Sequence, residues 1–329
     1  MDLNQLTNTF QSFDQMNVMI IGDVMIDGYV WGKVERISPE APVPVLSVAK
    51  KEDRLGGAAN VALNIQSMGA KPILCSVIGD DENGKKLIKL LGDLNITHEG
   101  IVKSKDRITT IKTRVIGHHQ HLLRIDEEVD HPLNEVEETD FIAHVQKIIS
   151  NNKIDVIIFQ DYDKGVLTQH NIEKLITMAT TAGIKTVVDP KKRNFLTYKN
   201  VGLFKPNLKE LKEGLKIEFN HLSDTQLNAA ALELKTKINA NAVMITLSEH
   251  GVFLLDTENN YHIPAHIRNI SDVSGAGDTV ISVAALCYAA NMPNQKIAAI
   301  ANLAGGLVCE KVGVVPIIKS ELLNEAKAL

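Results

Sequence analysis

The residues Asp272-Val-Ser-Gly275-Ala276-Gly277-Asp278-Thr-Val set a glycine-rich turn directly before an apolar run. Small residues let backbone N–H groups approach a ligand, and a helix start adds partial positive charge there. Gly275, Ala276 and Gly277 therefore read as an anion hole for a phosphoryl group in flight. Asp278, in the first helical turn beside that hole, reads as the base that takes a proton from an attacking hydroxyl. A plain helix cap is the competing reading, since Asp stabilises any first turn.

Three further segments favour the chemical reading. Leu55-Gly56-Gly57-Ala58-Ala59-Asn60 opens a helix with small residues. Backbone can there meet a polyhydroxylated ligand, with Asn60 offering both donor and acceptor. Close helix–sheet packing would use the same residues. Gly22-Asp23-Val-Met-Ile-Asp27-Gly28 follows the first strand, where open α/β sheets bind ligands. A carboxylate at Asp27 could take two sugar hydroxyls, or the segment could be a simple Asx-turn. Lys205-Pro-Asn207-Leu-Lys-Glu210 follows a short strand and opens a helix. Asn207 and Glu210 share a helix face, which suits a hydrated magnesium beside phosphates; it also suits a capping box.

Strands alternating with helices must position these segments. Apolar runs predict strands at Val18–Ile21, Ile73–Val77, Val156–Phe159, Thr186–Val188, Val243–Leu247 and Val252–Leu255. Continuous apolar runs suit parallel strands covered on both faces. Amphipathic stretches predict helices at Ala58–Met68, Gly84–Leu94, Val136–Ser150, Gln169–Thr181, Gln226–Asn239, Ala276–Ala290 and Asn294–Lys311. The alternation predicts an α/β fold, a doubly wound and mostly parallel sheet in one domain over 1–329. Two stretches with β character, about 29–49 and 109–126, interrupt it and read as a small β-sheet lid.

Composition bounds the rest. The 329 residues carry a formal net charge of -5 and 4% aromatics, which argues against nucleic acid as partner. Cys75, Cys287 and Cys309 form no metal spacing and sit in apolar runs, fitting reduced thiols in a cytoplasmic protein. The first residues lack a signal-peptide pattern, and no apolar stretch is long enough to span a membrane.

Together the segments resemble the ribokinase family, also called the PfkB carbohydrate kinases, from about Asn17 to Gly313. The resemblance implies a three-layer α/β core and a β lid that pairs two copies into a homodimer. It implies ATP and Mg2+ as cofactors, Asp278 as base and the Gly275–Gly277 amides as anion hole. Asp27, Gly57 and Asn60, beside Gly56, match sugar-binding positions. Asn207 and Glu210 match the N-x-x-E magnesium motif. Thr246, Ser248 and Gly251 match a nucleotide-binding strand turn, and Asn302 a position near the adenine pocket. Some members bind a monovalent cation such as K+ near the residue matching Asp272.

A narrower resemblance lies in Arg36-Ile-Ser-Pro-Glu-Ala-Pro-Val-Pro-Val45, Asp161-Tyr-Asp-Lys164-Gly165 and Asp189-Pro-Lys191. These are similar to the heptose 7-phosphate kinase branch. That branch phosphorylates the anomeric hydroxyl of D-glycero-D-manno-heptose 7-phosphate on the way to ADP-heptose and lipopolysaccharide. Ser274 stands where Thr is usual, and Asp163 where a small residue is usual. The absence of an H-x-G-H segment implies the kinase alone, with nucleotidyl transfer on another protein. An acceptor that already bears a phosphate needs cations. Arg36, Lys164, Arg124, Arg114, Lys191, Lys192 and Arg193 are candidates by proximity to the motif segments, with a solvated surface charge as the competing reading for any one of them. Another ribokinase-type acceptor, or a binding protein without catalysis, are the alternatives.

Three signals are set aside. Gly79-Asp-Asp-Glu-Asn-Gly84-Lys85-Lys86 nearly spells a P-loop but lacks its hydroxyl, and reads as a turn and helix cap. His118, His119 and His121 read as a polar lid tip rather than a metal site, although alternation puts His119 and His121 on one face. Gly22-Asp-Val-Met lacks the second glycine of a dinucleotide fingerprint.

Overall fold

A computed structural model describes residues 2–118, 120–219 and 223–329. Thirteen strands are defined among them. They are β1 (Asn17–Gly22), β2 (Val24–Ile37), β3 (Pro44–Gly57), β4 (Lys71–Gly79), β5 (Thr97–Ser104), β6 (Ile111–Gly117) and β7 (Gln120–Glu127), followed by β8 (Val156–Gln160), β9 (Lys185–Asp189), β10 (Leu203–Phe204), β11 (Ala242–Thr246), β12 (Val252–Leu255) and β13 (Asn260–Ile263). The α-helices are α1 (Leu3–Ser12), α2 (Ala58–Ser67), α3 (Glu82–Asp93), α4 (Glu135–Asn151) and α5 (Gln169–Thr181), then α6 (Leu208–Leu215), α7 (Asp224–Ile238), α8 (Ala276–Ala289), α9 (Asn294–Cys309) and α10 (Lys319–Ala326).

Nine strands form one sheet in the order β13-β12-β11-β10-β9-β8-β1-β4-β5. It is parallel from β5 to β11, and β12 and β13 add an antiparallel edge. β1 and β8 are buried along nearly their whole length, which is why they read as continuous apolar runs. One core cluster packs α1, α2, α3, α8, α9 and α10 on one face, and a second packs α4 to α7 on the other. This is the expected three-layer, doubly wound α/β architecture. The chain runs outward from β1 to β4 and β5 on one side, and from β8 to β11 on the other. The order therefore reverses between β1 and β8, and a crevice opens beyond their carboxyl ends.

The second sheet is separate, in the order β3-β2-β6-β7. It is wider than the stretches at 29–49 and 109–126 suggest, because β2 starts at Val24 and β3 runs on to Gly57. Asp27 and Gly56 thus lie on the two strands of a hairpin, whereas the sequence reading placed Asp27 just after the first strand and Gly56 at the opening of a helix. The strand β5 and the helices α1 and α10 also escaped that reading. Asp81 caps α3 by accepting the Gly84 N–H at 2.6 Å, so the near-P-loop is a turn and cap. His121 is on β7, and His119 lies outside the described residues. The three cysteines are buried and unpaired, with burial pushing the Cys287 thiol up to about 12. No helix among the described residues is long and apolar enough to cross a membrane.

Candidate active site

The crevice gathers residues from separate strand ends. Gly22 and Gln160 end β1 and β8 in register, Asp189 ends β9 beside Gln160, and Lys205 follows β10. α8 points its amino end at the same place. Its cap is Gly275, whose φ of +81° suits glycine and lets the turn close without a side-chain cap. The first amides of α8 thus have no side-chain acceptor, and their partial positive charge faces the crevice.

Asp278, buried in that first turn, is held on both oxygens. Asn60 Nδ2, from the start of α2, donates to Oδ2 at 2.7 Å. Tyr162 OH donates to Oδ1 at 2.8 Å, and Gln160 Nε2 adds a longer contact at 3.3 Å. Burial raises the carboxyl pKa to about 6 from 3.8, and the Asn60 and Tyr162 bonds limit the rise. The carboxylate is therefore ionised at neutral pH yet close in affinity to the proton it would accept. Gln160 also reaches Asp189 at 3.3 Å, and Asp189 pairs with Lys205 at 3.1 Å. Both members of that pair are buried, so each depends on the other for neutralisation.

Asn207 caps α6 and shares a cavity of about 160 Å³ with Asp278, Gly275, Gly277 and Glu210. Asn207 Oδ1 accepts the Glu210 N–H at 2.8 Å, and Glu210 Oε2 accepts the Asn207 N–H at 2.9 Å. The capping box is thus formed. Glu210 keeps its other oxygen on Lys191 Nζ at 2.6 Å, inside the cavity. Two hard oxygen donors at a phosphate-sized opening fit magnesium, which takes few protein ligands and keeps its waters. Among the described residues no group of three or more His, Cys, Asp or Glu side chains is placed to hold a metal.

A larger cavity of about 680 Å³ adjoins this one through Asn207, Thr246 and Gly277. Ser248, Gly251 and Asn302 line it with Val252, Ile267 and Val280. Its lining joins polar residues shared with the smaller cavity to a run of apolar side chains, a mixture that suits a nucleotide. Asn302 Nδ2 donates to the Pro264 carbonyl at 2.8 Å.

On the opposite side, Asp27 Oδ1 accepts from Arg114 Nη1 at 2.6 Å. A Cβ added at Gly56 would meet Asp27 Oδ2 at 2.4 Å, so a side chain there would push the Asp27 carboxylate aside. Gly57 takes a φ of +60° as it turns from β3 into α2. Asp272 lies farther out. Burial pushes its carboxyl up, but the N–H groups of Ser274 at 2.9 Å and Gly313 at 3.0 Å outweigh that and hold it below the usual carboxylate value.

Arg36, Lys164 and Arg124 are not brought to the cavity beside Asp278. Arg36 is exposed on β2, roughly 30 Å along the strand from Asp27 at ~3.3 Å per residue. Arg124, exposed on the outer strand β7, pairs with Asp126, and Lys164 pairs with Glu128 at 2.8 Å. Lys191 alone of the earlier cation candidates lines that cavity. Gln160 belongs to no motif segment, and Tyr162 and Lys205 lie within segments 161–165 and 205–210 without being singled out there; only the folded strand ends show that they face Asp278.

A family model described as pfkB family carbohydrate kinase matches residues 15–320. The chain belongs to that family. As a pfkB carbohydrate kinase it is a sugar kinase, which agrees with the resemblance read from the motifs. It is 40% identical over 94% of its length to the bifunctional protein HldE of Desulfatibacillum aliphaticivorans. It is 38% identical over 91% of its length to that of Campylobacter curvus. The chain spans 63% and 62% of the length of these relatives. The fold matches phosphofructokinase-2 from Escherichia coli in its tetrameric inhibited form, with a TM-score of 0.78 at 21% identity, covering 95% of this chain and 98% of that one. An Arabidopsis thaliana ribokinase complexed with ribose and ATP gives 0.71 at 16% identity, covering 94% and 98%. Both matches extend over nearly the whole of each chain and show the fold.

Proposed function

We propose that this kinase phosphorylates the anomeric hydroxyl of D-glycero-D-manno-heptose 7-phosphate, using Mg·ATP, with Asp278 as base. The observation that carries the chemistry is Asp278 buried in the first turn of α8, in one cavity with Gly275 and Gly277. ATP supplies the phosphoryl group when bound. The α8 amides stabilise negative charge between donor and acceptor, and Asp278 takes the acceptor's proton. Asn207 and Glu210 would hold magnesium through water, with Thr246, Ser248, Gly251 and Asn302 lining the nucleotide cavity. A monovalent cation at Asp272 belongs to the same reading.

The choice of acceptor rests on Arg36-Ile-Ser-Pro-Glu-Ala-Pro-Val-Pro-Val45 and on the HldE relatives. Asp27, Gly56, Gly57 and Asn60 would seat the sugar between β2, β3 and α2. Arg36 and Arg124 would reach its phosphate only if a lid movement brought them inward, whereas Lys164 sits in the loop after β8 with its Nζ on Glu128. A pairing of two copies through the lid is supported by Ile37, Val48 and Leu123, which leave apolar surface exposed on that sheet.

The test is ADP release from Mg·ATP with D-glycero-D-manno-heptose 7-phosphate, fructose 6-phosphate, ribose, fructose and adenosine side by side. Turnover confined to the heptose phosphate is expected. Faster turnover on another acceptor would discard the heptose assignment and leave the kinase chemistry standing.

A further inference from the structure

Asp23 is a buried carboxylate that phosphoryl transfer, as described, leaves unused. It sits in the turn between β1 and β2. Its Oδ2 accepts the N–H of Tyr162 at 2.9 Å and of Lys164 at 3.1 Å, and its Oδ1 accepts that of Val166 at 3.1 Å. Three amides of one short loop on one carboxylate fix the path of that loop. Asp161 holds it from the other side, accepting the Asp163 N–H at 2.8 Å and the Tyr198 hydroxyl at 2.7 Å. Arg107 bonds the Lys164 carbonyl and, at 2.8 Å, the His131 carbonyl.

What the loop presents to the crevice is Tyr162. Its hydroxyl donates to Asp278 Oδ1 at 2.8 Å, and Lys191 Nζ lies 5.5 Å from its ring centre. Burial holds the phenol well above its ordinary pKa, so it stays a donor at working pH. The groups facing Asp278 are Asn60 from α2, Gln160 from β8, Asp189 from β9, Lys205 after β10, and Tyr162 and Lys191 from loops. Of the hydrogen bonds to its carboxylate, those of Asn60 and Tyr162 are shorter than 3 Å, and they fall on different oxygens. Two donors on two oxygens fix the carboxylate plane and leave further lone pairs for an incoming hydroxyl.

We propose that Tyr162 is a positioning residue for phosphoryl transfer: held by Asp23 through the 162–166 loop, its hydroxyl orients the Asp278 carboxylate toward the acceptor hydroxyl. This rests on Asp278 being the base. Removing the hydroxyl has two opposed effects. The carboxylate becomes more basic, and because only part of a basicity gain reaches the rate, this raises it by less than tenfold per pKa unit. The carboxylate also becomes free to turn, and a misplacement of about 1 Å costs up to ~10²-fold. Orientation wins.

The experiment measures Tyr162→Phe and Asp278→Asn beside wild type by ADP release, with melting temperature as a folding check. Tyr162→Phe is expected to melt like wild type and to keep both KM values. Its kcat is expected to fall roughly 10- to 100-fold, and the acid limb of its pH profile to move upward, since a bond stabilising the carboxylate is gone. Wild-type kcat with an unmoved acid limb would overturn the proposal. So would raised KM values with a lowered melting temperature, which would make Tyr162 a packing residue. Asp23→Asn, where it folds, is expected to lower kcat in the same direction, and wild-type kcat in a folded Asp23→Asn enzyme would sever Asp23 from the device. If Asp278→Asn itself kept wild-type turnover, the base assignment would fall first; loss of turnover in that variant with a normal Tyr162→Phe would sink the present inference alone.

Discussion

Replacing the base with its amide should make the protein more stable at neutral and alkaline pH. Burial lifts the Asp278 pKa from 3.8 to about 6. A shift of about two units corresponds to ~3 kcal/mol of folding free energy lost whenever the group is ionised in both states. Asp278→Asn removes that charge. The new amide would set its N–H groups against Asn60 Nδ2, a donor only, or against Tyr162 OH, which now donates and would have to turn to accept. Asn60 has a remedy, because its Oδ1 is buried without a partner, so turning its amide over supplies an acceptor. One such bond is worth about 1 kcal/mol. The variant should therefore gain about 2–3 kcal/mol at pH ~8. The sign follows from proton binding. The folded wild type binds its proton more tightly than the unfolded chain, so wild-type stability climbs as pH falls from about 6 to 3.8. The amide gains nothing over that window, and its advantage closes by about pH 4. Urea unfolding of both proteins at about pH 8 and about pH 4.5, without ligands, measures the difference. An advantage equal at both pH values, or a variant less stable at pH 8, would refute the burial of an ionised base.

Two other predictions concern the neighbours. Glu210→Gln keeps an oxygen that can accept the Asn207 N–H, so α6 should remain capped while the magnesium needed for half-maximal ADP release rises; an unchanged magnesium titration would remove Glu210 from the metal's surroundings. Gly56→Ala forces a methyl to within 2.4 Å of Asp27 Oδ2. It should raise the acceptor's KM up to ~10²-fold with ATP's KM unchanged, and an effect on ATP alone would contradict the seating of the sugar at Asp27.

The fold was legible where local physics and tertiary structure agree. Val18–Ile21 and Val156–Phe159 are apolar at every position because helices cover both faces of the sheet. Asp278 was singled out because three further segments, around Gly56, Asp27 and Asn207, accompany a glycine turn that alone reads equally well as a helix cap. The hairpin was harder. β2 and β3 run continuously from buried core into exposed lid, so their burial pattern changes midway and no single period describes them. That hid the close approach of Gly56 on β3 to the Asp27 side chain on β2. Gln160, Tyr162 and Lys205 stand at the ends of three different strands or loops, and only the parallel register of β1, β8, β9 and β10 brings them together. The cations illustrate the converse. Arg36 and Arg124 sit close in sequence to telling motifs, but extended strands carry them away from the crevice.

The most direct test of the account is turnover by Asp278→Asn with saturating Mg·ATP and the heptose phosphate, beside a measurement of ATP binding. The account predicts ATP binding close to wild type and turnover lower by ~10²–10⁴-fold. A folded variant that binds ATP and turns over near the wild-type rate would contradict it.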